Sequence, residues 1–435
     1  MAGKLNKIPK VPAGSCCKMF LSQFMLKTIQ VAPAKTDDKR GKIDDEGEKN
    51  IFVSLKSFMT FCQLLGLLPQ ENVRKSLEEM HFRLLSIKTL YAIVMIFSLT
   101  VAVVSCLIFW VMNGSNIGDV AVAVFYGGSL GAMVLHLQLA ASWKKLIKSW
   151  CDIDTIMNST YGYPKSLDKK IRWLSFVFIF LGLTDYLLNV GNWSEHLSYH
   201  HGDNFTIELY YRTTFPQLFN YLPYNPWSVI FSTIITIHSN VTWAVNDLFI
   251  IIMSTALALR FQQISQKLNN ERFKINPVLF WKGIREDYDR LASFCRELDS
   301  HISPIVLWSF FLNIFFLLIQ LYNSLESISL LARKVYFVFS FVYLIFKTTS
   351  VSLFAAWIND ESKAPTNVLN SVDSALYNVE IRRLLVQISF DKTALTGCKM
   401  FSVKRGIILS VASAIVTYEL VLIQFSQANL YEATA

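Results

Sequence analysis

Hydrophobic residues in this chain are concentrated in seven long segments that polar loops separate. Each segment provides close to the 20 apolar residues that a helix needs to cross a bilayer, although the third is short and the fourth is long enough to continue past it. The pattern predicts an all-α polytopic membrane protein with seven transmembrane helices, at residues 89–112, 118–141, 173–191, 227–257, 303–325, 335–357 and 404–425.

The first 88 residues depart from this pattern. Residues 1–50 are polar and rich in Lys and Asp, which predicts a disordered cytosolic tail. Residues 51–68 are apolar but are interrupted by Lys56 and Gln63. The alternatives there are a weak spanning helix and, favoured by the interruptions, an amphipathic helix in the membrane interface. The expected divisions are therefore the tail (1–50), an interfacial segment (51–88), the seven-helix domain (89–425) and an extracellular tail (426–435).

Composition agrees with a membrane protein and excludes several functions. Of the 435 residues, 53% are hydrophobic and 17% are charged, against about 25% charged in soluble domains. The net charge of +9 does not indicate nucleic-acid binding, because the basic residues lie in loops on one side of the apolar segments. We find no phosphate-binding loop, metal-spaced Cys and His set or nucleophile–base motif. We therefore expect no enzyme, no catalytic residues, no metal and no cofactor.

Lysine and arginine residues set the expected orientation. Of the 41, 37 fall in the first 88 residues and the loops 142–172, 260–302 and 358–405, whereas three fall in the opposite loops. This predicts an internal N-terminus and, after seven spans, an external C-terminus. A G-protein-coupled receptor has the opposite orientation. The external loop 192–226 holds glycosylation sequons at Asn192 and Asn204, of which Asn204 is preferred because Asn192 adjoins the membrane.

The last segment carries its polar residues on one face. Ser410, Ser413, Thr417 and Gln424 are spaced by three, four and seven residues, so they align along one side of a helix, whereas Glu419 points elsewhere. Such a row can line a water-filled pore, or it can let helices pack closely. The spacing alone leaves both readings open.

The end of this segment carries a family resemblance. Thr417 and Tyr418, five mostly apolar residues, and then Gln424 and Phe425 resemble the C-terminal signature of insect gustatory receptors. Glu419 departs from a strictly apolar spacer, but Thr-Tyr-Glu-Leu and the preceding stretch 394–403 (ALTGCKMFSV) resemble the sugar-receptor branch. The motif is short but specific in position, and hydropathy extends the resemblance over residues 51–435.

The resemblance implies a sugar-gated, non-selective cation channel in the plasma membrane of taste neurons. Its partners are then small-molecule sugars, permeant cations and subunits of the same or a related gustatory receptor, in a homotetramer or heterotetramer. It also implies a central pore surrounded by the last spans, whose narrow part lies near Gln424 and Phe425. The alternatives are a membrane transporter and an odorant-type channel for a non-sugar ligand.

Two apolar patterns lie in the cytosolic part of the chain. The first repeats at intervals of three and four, which indicates a heptad seam, and comprises Trp281, Ile284, Tyr288, Leu291, Cys295, Leu298 and Ile302. The second comprises Leu369, Val372, Leu376 and Val379. Packing within one chain and assembly of subunits are equally open from the spacing. The resemblance favours anchor helices, within 260–302 and 366–400, that hold four subunits together.

Polar and aromatic residues accumulate in the outer halves of spans three to six. Ionisable residues in a span are costly and usually face a cavity or a partner. A sugar requires carboxylates and amides for its hydroxyls and aromatic rings for its C–H faces. The resemblance implies a ligand pocket here, to which we assign Asp185, Tyr186, Asn189, His238, Trp243, Asp247, Gln320, Asn323 and Tyr343. We expect Lys347 to be neutralised by Asp185 or Asp247.

Overall fold

The computed structural model describes residues 49–434 apart from 115–116, 203–204, 272–273, 275–276 and 325–329. The predicted disordered tail lies, up to residue 48, outside the described residues. Beyond Tyr418, the described side chains are those of Val421 and Gln424.

The described chain is almost entirely helical. Its helices are α1 (Ile51–Leu64), α2 (Ile87–Asn113), α3 (Ile117–Tyr161), α4 (Leu167–His201), α5 (Ile207–Thr214), α6 (Pro216–Phe219), α7 (Pro226–Glu271), α8 (Val278–Asn323), α9 (Leu331–Lys363), α10 (Pro365–Asn370), α11 (Val379–Phe390) and α12 (Gly406–Thr434). Between α11 and α12, β1 (Thr396–Gly397) pairs antiparallel with β2 (Phe401–Ser402).

Six of these helices are long and apolar enough to cross a membrane, namely α2, α3, α4, α7, α8 and α9. Most exceed the expected spans, since α7 and α8 each contain 46 residues. A helix of that length measures about 69 Å, roughly twice the hydrocarbon thickness of a bilayer, so these helices continue beyond the membrane. In α12, the side chains are described without a gap only from Gly406 to Tyr418. This apolar part is shorter than a membrane span.

The extension of α3 is apolar on one face and charged on the other, which explains why hydropathy did not reveal it. After residue 141, α3 continues with Trp143, Ile147 and Trp150, which are at most 1% exposed. Their spacing of four and three places them on one side of the helix. Trp150 packs against Phe294 of α8, with ring centres 4.8 Å apart. Lysines at 144, 145 and 148 occupy the other positions and lower the average hydropathy of the extension.

Helix α1, which covers most of the segment 51–68, packs against the helical bundle. Helix α1 buries six apolar residues and contacts α3 and α4. At its start, the N–H of Ile51 donates to Oδ2 of Asp154 at 2.8 Å. Just beyond its end, Nε2 of His238 donates to the carbonyl oxygen of Leu65 at 2.8 Å. The helix is therefore fixed at both ends within the helical bundle.

A buried ion pair secures the start of α1. Arg260 of α7 lies 2.8 Å from Asp154 of α3, and the two side chains are 2% and 1% exposed. Arg260 also donates to the carbonyl oxygen of Gly162 and to Oδ1 of Asn158. Burial raises the pKa of the Asp154 carboxyl, and the nearby Arg260 guanidinium opposes that shift. We call Asp154, Arg260 and Ile51 the clasp, and the end of the bundle away from it the outer end.

The first predicted seam packs within the chain. All seven of its residues are at most 2% exposed. Tyr288, for example, lies against Phe261 of α7 with ring centres 5.6 Å apart. The second pattern has the wrong register, because Val379 is 67% exposed while α11 buries Ile381, Leu384 and Ile388.

Candidate functional site

A cavity of about 270 Å³ lies in the outer part of the bundle, lined by α3, α4, α7, α8, α9 and the connection between α4 and α7. This volume is near the lower end of the range for small-molecule sites, about 300–1,000 Å³. Six of the nine expected ligand residues line it: Asp185, Tyr186, Asn189, Trp243, Gln320 and Tyr343.

Lys347 of α9 lies at the inner end of this cavity. Its Nζ is 3.2 Å from Oδ2 of Asp247 and 3.5 Å from the centre of the Trp243 ring. Asp247 also accepts hydrogen bonds from Ser309 and, at 3.1 Å, from Asn313 of α8. A buried ion pair is stable only with such additional hydrogen bonds. This network joins α7, α8 and α9 beneath the cavity.

Helix α4 supplies Asp185, Tyr186 and Asn189 to one wall. Gly182, one turn toward the clasp, permits the close approach of α4 to α9, because a Cβ at this position would lie 3.3 Å from the hydroxyl oxygen of Tyr343. On the facing side, Nε2 of Gln320 donates to Oγ of Ser340 at 3.1 Å. These contacts hold polar side chains from three helices around one space.

Three polar atoms beside the cavity are buried without a hydrogen-bond partner among the described residues: Oδ1 of Asp185, Nε1 of Trp243 and the hydroxyl oxygen of Tyr343. Leaving such an atom unpaired costs about 1–3 kcal/mol. A hydroxyl-rich molecule in the adjoining cavity can satisfy these atoms. The Trp243 and Phe316 rings, whose centres are 4.7 Å apart, add an apolar surface.

Three expected ligand residues lie outside the cavity. His238 donates to Leu65 and so belongs to the packing of α1. Asp247 is 0% exposed and is the partner of Lys347 one turn below the cavity. Asn323 is the last residue of α8 and does not reach the lining. The sequence indicated how far along its helix each residue lies. It did not indicate toward which neighbour each side chain points, because that depends on the rotation of the helix about its axis.

Several lining residues were not expected from the sequence. They come from α3, from the outer part of α4 and from the segment after α4, and include Phe125, Tyr126, Trp193, Tyr210, Thr214, Phe215 and Gln217. The hydroxyl of Tyr126 lies 2.9 Å from Oγ1 of Thr236. The aromatic content of residues 207–219 (IELYYRTTFPQLF) was the available signal, since a purely solvent-exposed loop rarely carries so many rings.

The polar row of the last helix is exposed in the single chain. Ser410, Ser413, Thr417 and Gln424 are all exposed, and Leu409 and Val416 are 75% and 53% exposed. No side chain from Gly406 to Tyr418 is fully buried. The side chain of Phe425 lies outside the described residues.

The two glycosylation candidates have different surroundings. Asn192 lies inside α4 rather than in a loop, and its Oδ1 is buried. Asn204 lies outside the described residues.

Comparisons with known proteins give one consistent family. The family model described as trehalose receptor matches residues 34–433. The chain is 28% identical over 396 residues to the gustatory receptor for sugar taste 64f of Drosophila melanogaster, covering 88% of this chain and 84% of the relative. It is 28% identical over 317 residues to gustatory receptor 5a for trehalose of the same species, covering 72% and 70%.

One solved structure shows the same fold. The insect olfactory receptor OR5 from Machilis hrabei superposes with a TM-score of 0.65 at 14% identity, covering 86% of this chain and 99% of that one.

Proposed function

Because this chain belongs to the trehalose receptor family, within the sugar branch of the insect gustatory receptors, we propose that it is a sugar-gated, non-selective cation channel of taste neurons. It is a multi-pass membrane protein. The ligand binds in the outer cavity, and its binding opens a pore lined by α12.

The observation that carries the ligand proposal is the cavity beside unpaired polar atoms. Asp185 offers a carboxylate oxygen, and Tyr343 and Trp243 offer a hydroxyl and an indole N–H. Sites built to hydrogen-bond a hydroxyl reject analogues that lack it, because their own buried groups are then left unpaired. The aromatic rings cover the C–H faces of the sugar.

The proposed topology has seven spanning helices, with the N-terminus inside and the C-terminus outside. Its support is the concentration of Lys and Arg on one side, where 37 of 41 lie. In this arrangement α12 is the seventh span, since it runs from Gly406 to Thr434, and the clasp lies on the cytosolic side.

The proposed pore is formed by α12 from four subunits, in a homotetramer or a heterotetramer with related receptors. A spanning helix whose polar row and apolar face are both uncovered in one chain requires partners. Ser410, Ser413 and Thr417 then face the permeant cations. Phe425 closes the pore as a hydrophobic constriction, and Gln424 offers amide oxygens to the ions when the pore opens.

The first test is recording from cells that express this chain. A panel of sugars should evoke current with near-linear conductance. A small flux coupled to sugar uptake would instead identify a transporter, and a response confined to non-sugar odorants would identify an odorant-type channel.

The second test concerns Asp185. Asp185→Ala should raise the half-maximal sugar concentration about tenfold or more at normal surface level, because a hydrogen bond to a charged group contributes about 1.5–3 kcal/mol. Thr184→Val, whose wild-type hydroxyl donates to the carbonyl of its own helix, is the matched control and should respond normally. An unchanged dose–response curve in Asp185→Ala would remove this residue from the site.

A further inference from the structure

The connection between α4 and α7 is a folded element rather than a simple loop. We call its described part, residues 205–225, the outer cap; it contains α5 and α6. Phe215, Leu218 and Phe219 are at most 8% exposed and form a hydrophobic cluster separate from the main core. The hydroxyl of Tyr211 lies 2.8 Å from Oγ1 of Thr233, which fixes the cap against α7. The cap therefore holds its side chains in defined positions.

The outer cap contributes polar groups to the cavity. Thr214 and Gln217 line it, and Gln217 is 5% exposed. Among the described residues, neither Nε2 of Gln217 nor Oγ1 of Thr214 has a well-formed hydrogen bond. A folded cap that buries an amide N–H without a partner bears a cost of about 1–3 kcal/mol. A ligand that reached the cap would remove that cost.

The cap lies far from the inner polar groups. It contacts α7 at Thr233, ten residues before Trp243, which corresponds to about 15 Å along the helix. Along α9, the lining extends from Tyr336 to Lys347, about 16 Å at the same rise per residue. A cavity of about 270 Å³ over this length is narrow and elongated. A single pyranose ring cannot contact both ends of it.

We propose that Thr214 and Gln217 form an outer subsite that binds the second ring of a two-ring sugar, while the first ring lies between Asp185, Trp243 and Tyr343. This inference rests on the proposed function, because it assumes that the cavity binds sugars. It assigns to the outer cap the discrimination between two-ring and single-ring sugars.

The test compares trehalose, which has two glucose rings, with glucose on three variants. Gln217→Met and Thr214→Val preserve side-chain size and remove the polar group. Thr213→Val is the matched control, because Thr213 is exposed and does not line the cavity. The first two variants should each raise the half-maximal trehalose concentration about tenfold and change the glucose value less than twofold. The control should change neither.

Binding to the purified receptor, followed as a shift in thermal unfolding temperature with each sugar, provides a second readout that does not depend on opening. Two results would overturn the outer subsite: unfolding temperatures of the wild-type receptor that rise equally with trehalose and with glucose, or an unfolding temperature that does not rise with trehalose. A wild-type receptor that binds glucose but not trehalose would overturn it as well. If the wild-type receptor binds trehalose but not glucose, the trehalose shift of the Gln217→Met and Thr214→Val variants is compared with that of Thr213→Val. A smaller shift in the first two supports the outer subsite, and an equal shift overturns it. Silence and absence of binding toward every sugar would instead refute the proposed function itself.

Discussion

At the scale of single residues, the buried Lys347–Asp247 pair combines what the sequence can and cannot predict. A lysine and two aspartates in apolar segments predict that one carboxylate neutralises the ammonium group. The choice between Asp185 and Asp247 depends on the relative axial positions of α4, α7 and α9, which no local pattern encodes. The structure selects Asp247, at 3.2 Å, and leaves Oδ1 of Asp185 beside the cavity.

This pair should matter more for folding than for ligand recognition. Lys347→Met leaves a buried carboxylate without its cation, which costs about 3–5 kcal/mol, so most surface protein should be lost. Adding Asp247→Asn to that variant removes the uncompensated charge. The amide oxygen can still accept from Ser309, and the new NH2 group can donate to Oδ1 of Asn313, which has no partner among the described residues, once that amide turns over. Surface labelling and thermal unfolding should therefore show recovery in the double variant. Equal loss in the single and double variants would contradict this account.

At the scale of helices, periodicity predicted the buried face of α8 correctly but could not identify the helices that pack against it. The α8 seam has the spacing of a subunit interface, yet α7, α3 and α11 of the same chain cover it. The exposed apolar side of α11, with Val386 at 49% and Phe390 at 82% exposed, remains uncovered in one chain. The buried face of α11 was missed because the predicted pattern crosses residues 371–378, which are not helical, so the spacing of a helix does not apply between Leu369 and Val379.

Matched substitutions should separate these two surfaces. Leu291→Asp places a carboxylate in a fully buried position and should prevent accumulation of folded protein. Val386→Asp places the same group on the exposed side of α11, so the subunit should fold while the proposed tetramer dissociates. Size-exclusion chromatography of detergent-solubilised receptor measures both effects. A tetramer that survives Val386→Asp would exclude this side of α11 from the interface.

The last helix allows a test of the gate. In the proposed pore, Phe425→Ala should increase the current without sugar, because a smaller ring of side chains no longer excludes water. Cysteines at Ser410, Ser413, Thr417 and Gln424 should react with water-soluble reagents in the open state, and a cysteine at Ile415 should not. If Phe425 is instead an aromatic anchor at the membrane interface, Phe425→Ala should lower only the amount of receptor at the cell surface. Labelling that ignored the helical spacing would refute the pore assignment.

At the scale of the whole molecule, composition and hydropathy were sufficient for a helical, multi-pass membrane protein, and the C-terminal motif for its family. The full length of α3 was not, because its extension places the buried Trp143 and Trp150 among lysines at 144, 145 and 148 and so averages to ordinary polarity. The contacts of α1 with the bundle could not be predicted either. Its interruptions at Lys56 and Gln63 are typical of an interfacial helix, but Gln63 and Lys88 bind each other at 2.7 Å as the chain folds back.

Orientation can be tested on intact cells. A tag after Ala435 should be stained without permeabilisation, and a tag before Lys4 only after it, because the proposed topology places 37 of the 41 basic residues on the side of the N-terminus. Both tags can be placed on the same chain, so each serves as the control for the other. Reversed staining would overturn the orientation, and staining of both on intact cells would overturn the odd number of spans.

Helix α7 has a further mechanical consequence. It carries Trp243 at the cavity and Arg260 at the clasp, 17 residues apart, or about 25 Å at 1.5 Å per residue. Over that length a tilt of about 5° displaces the far end by about 2 Å, similar to the helix shifts of about 1–2 Å that occur in switching proteins. If the proposed ligand tilts α7 at the cavity, the length of the helix enlarges that tilt into a displacement at the start of α1, without a chain of side-chain contacts between the two places.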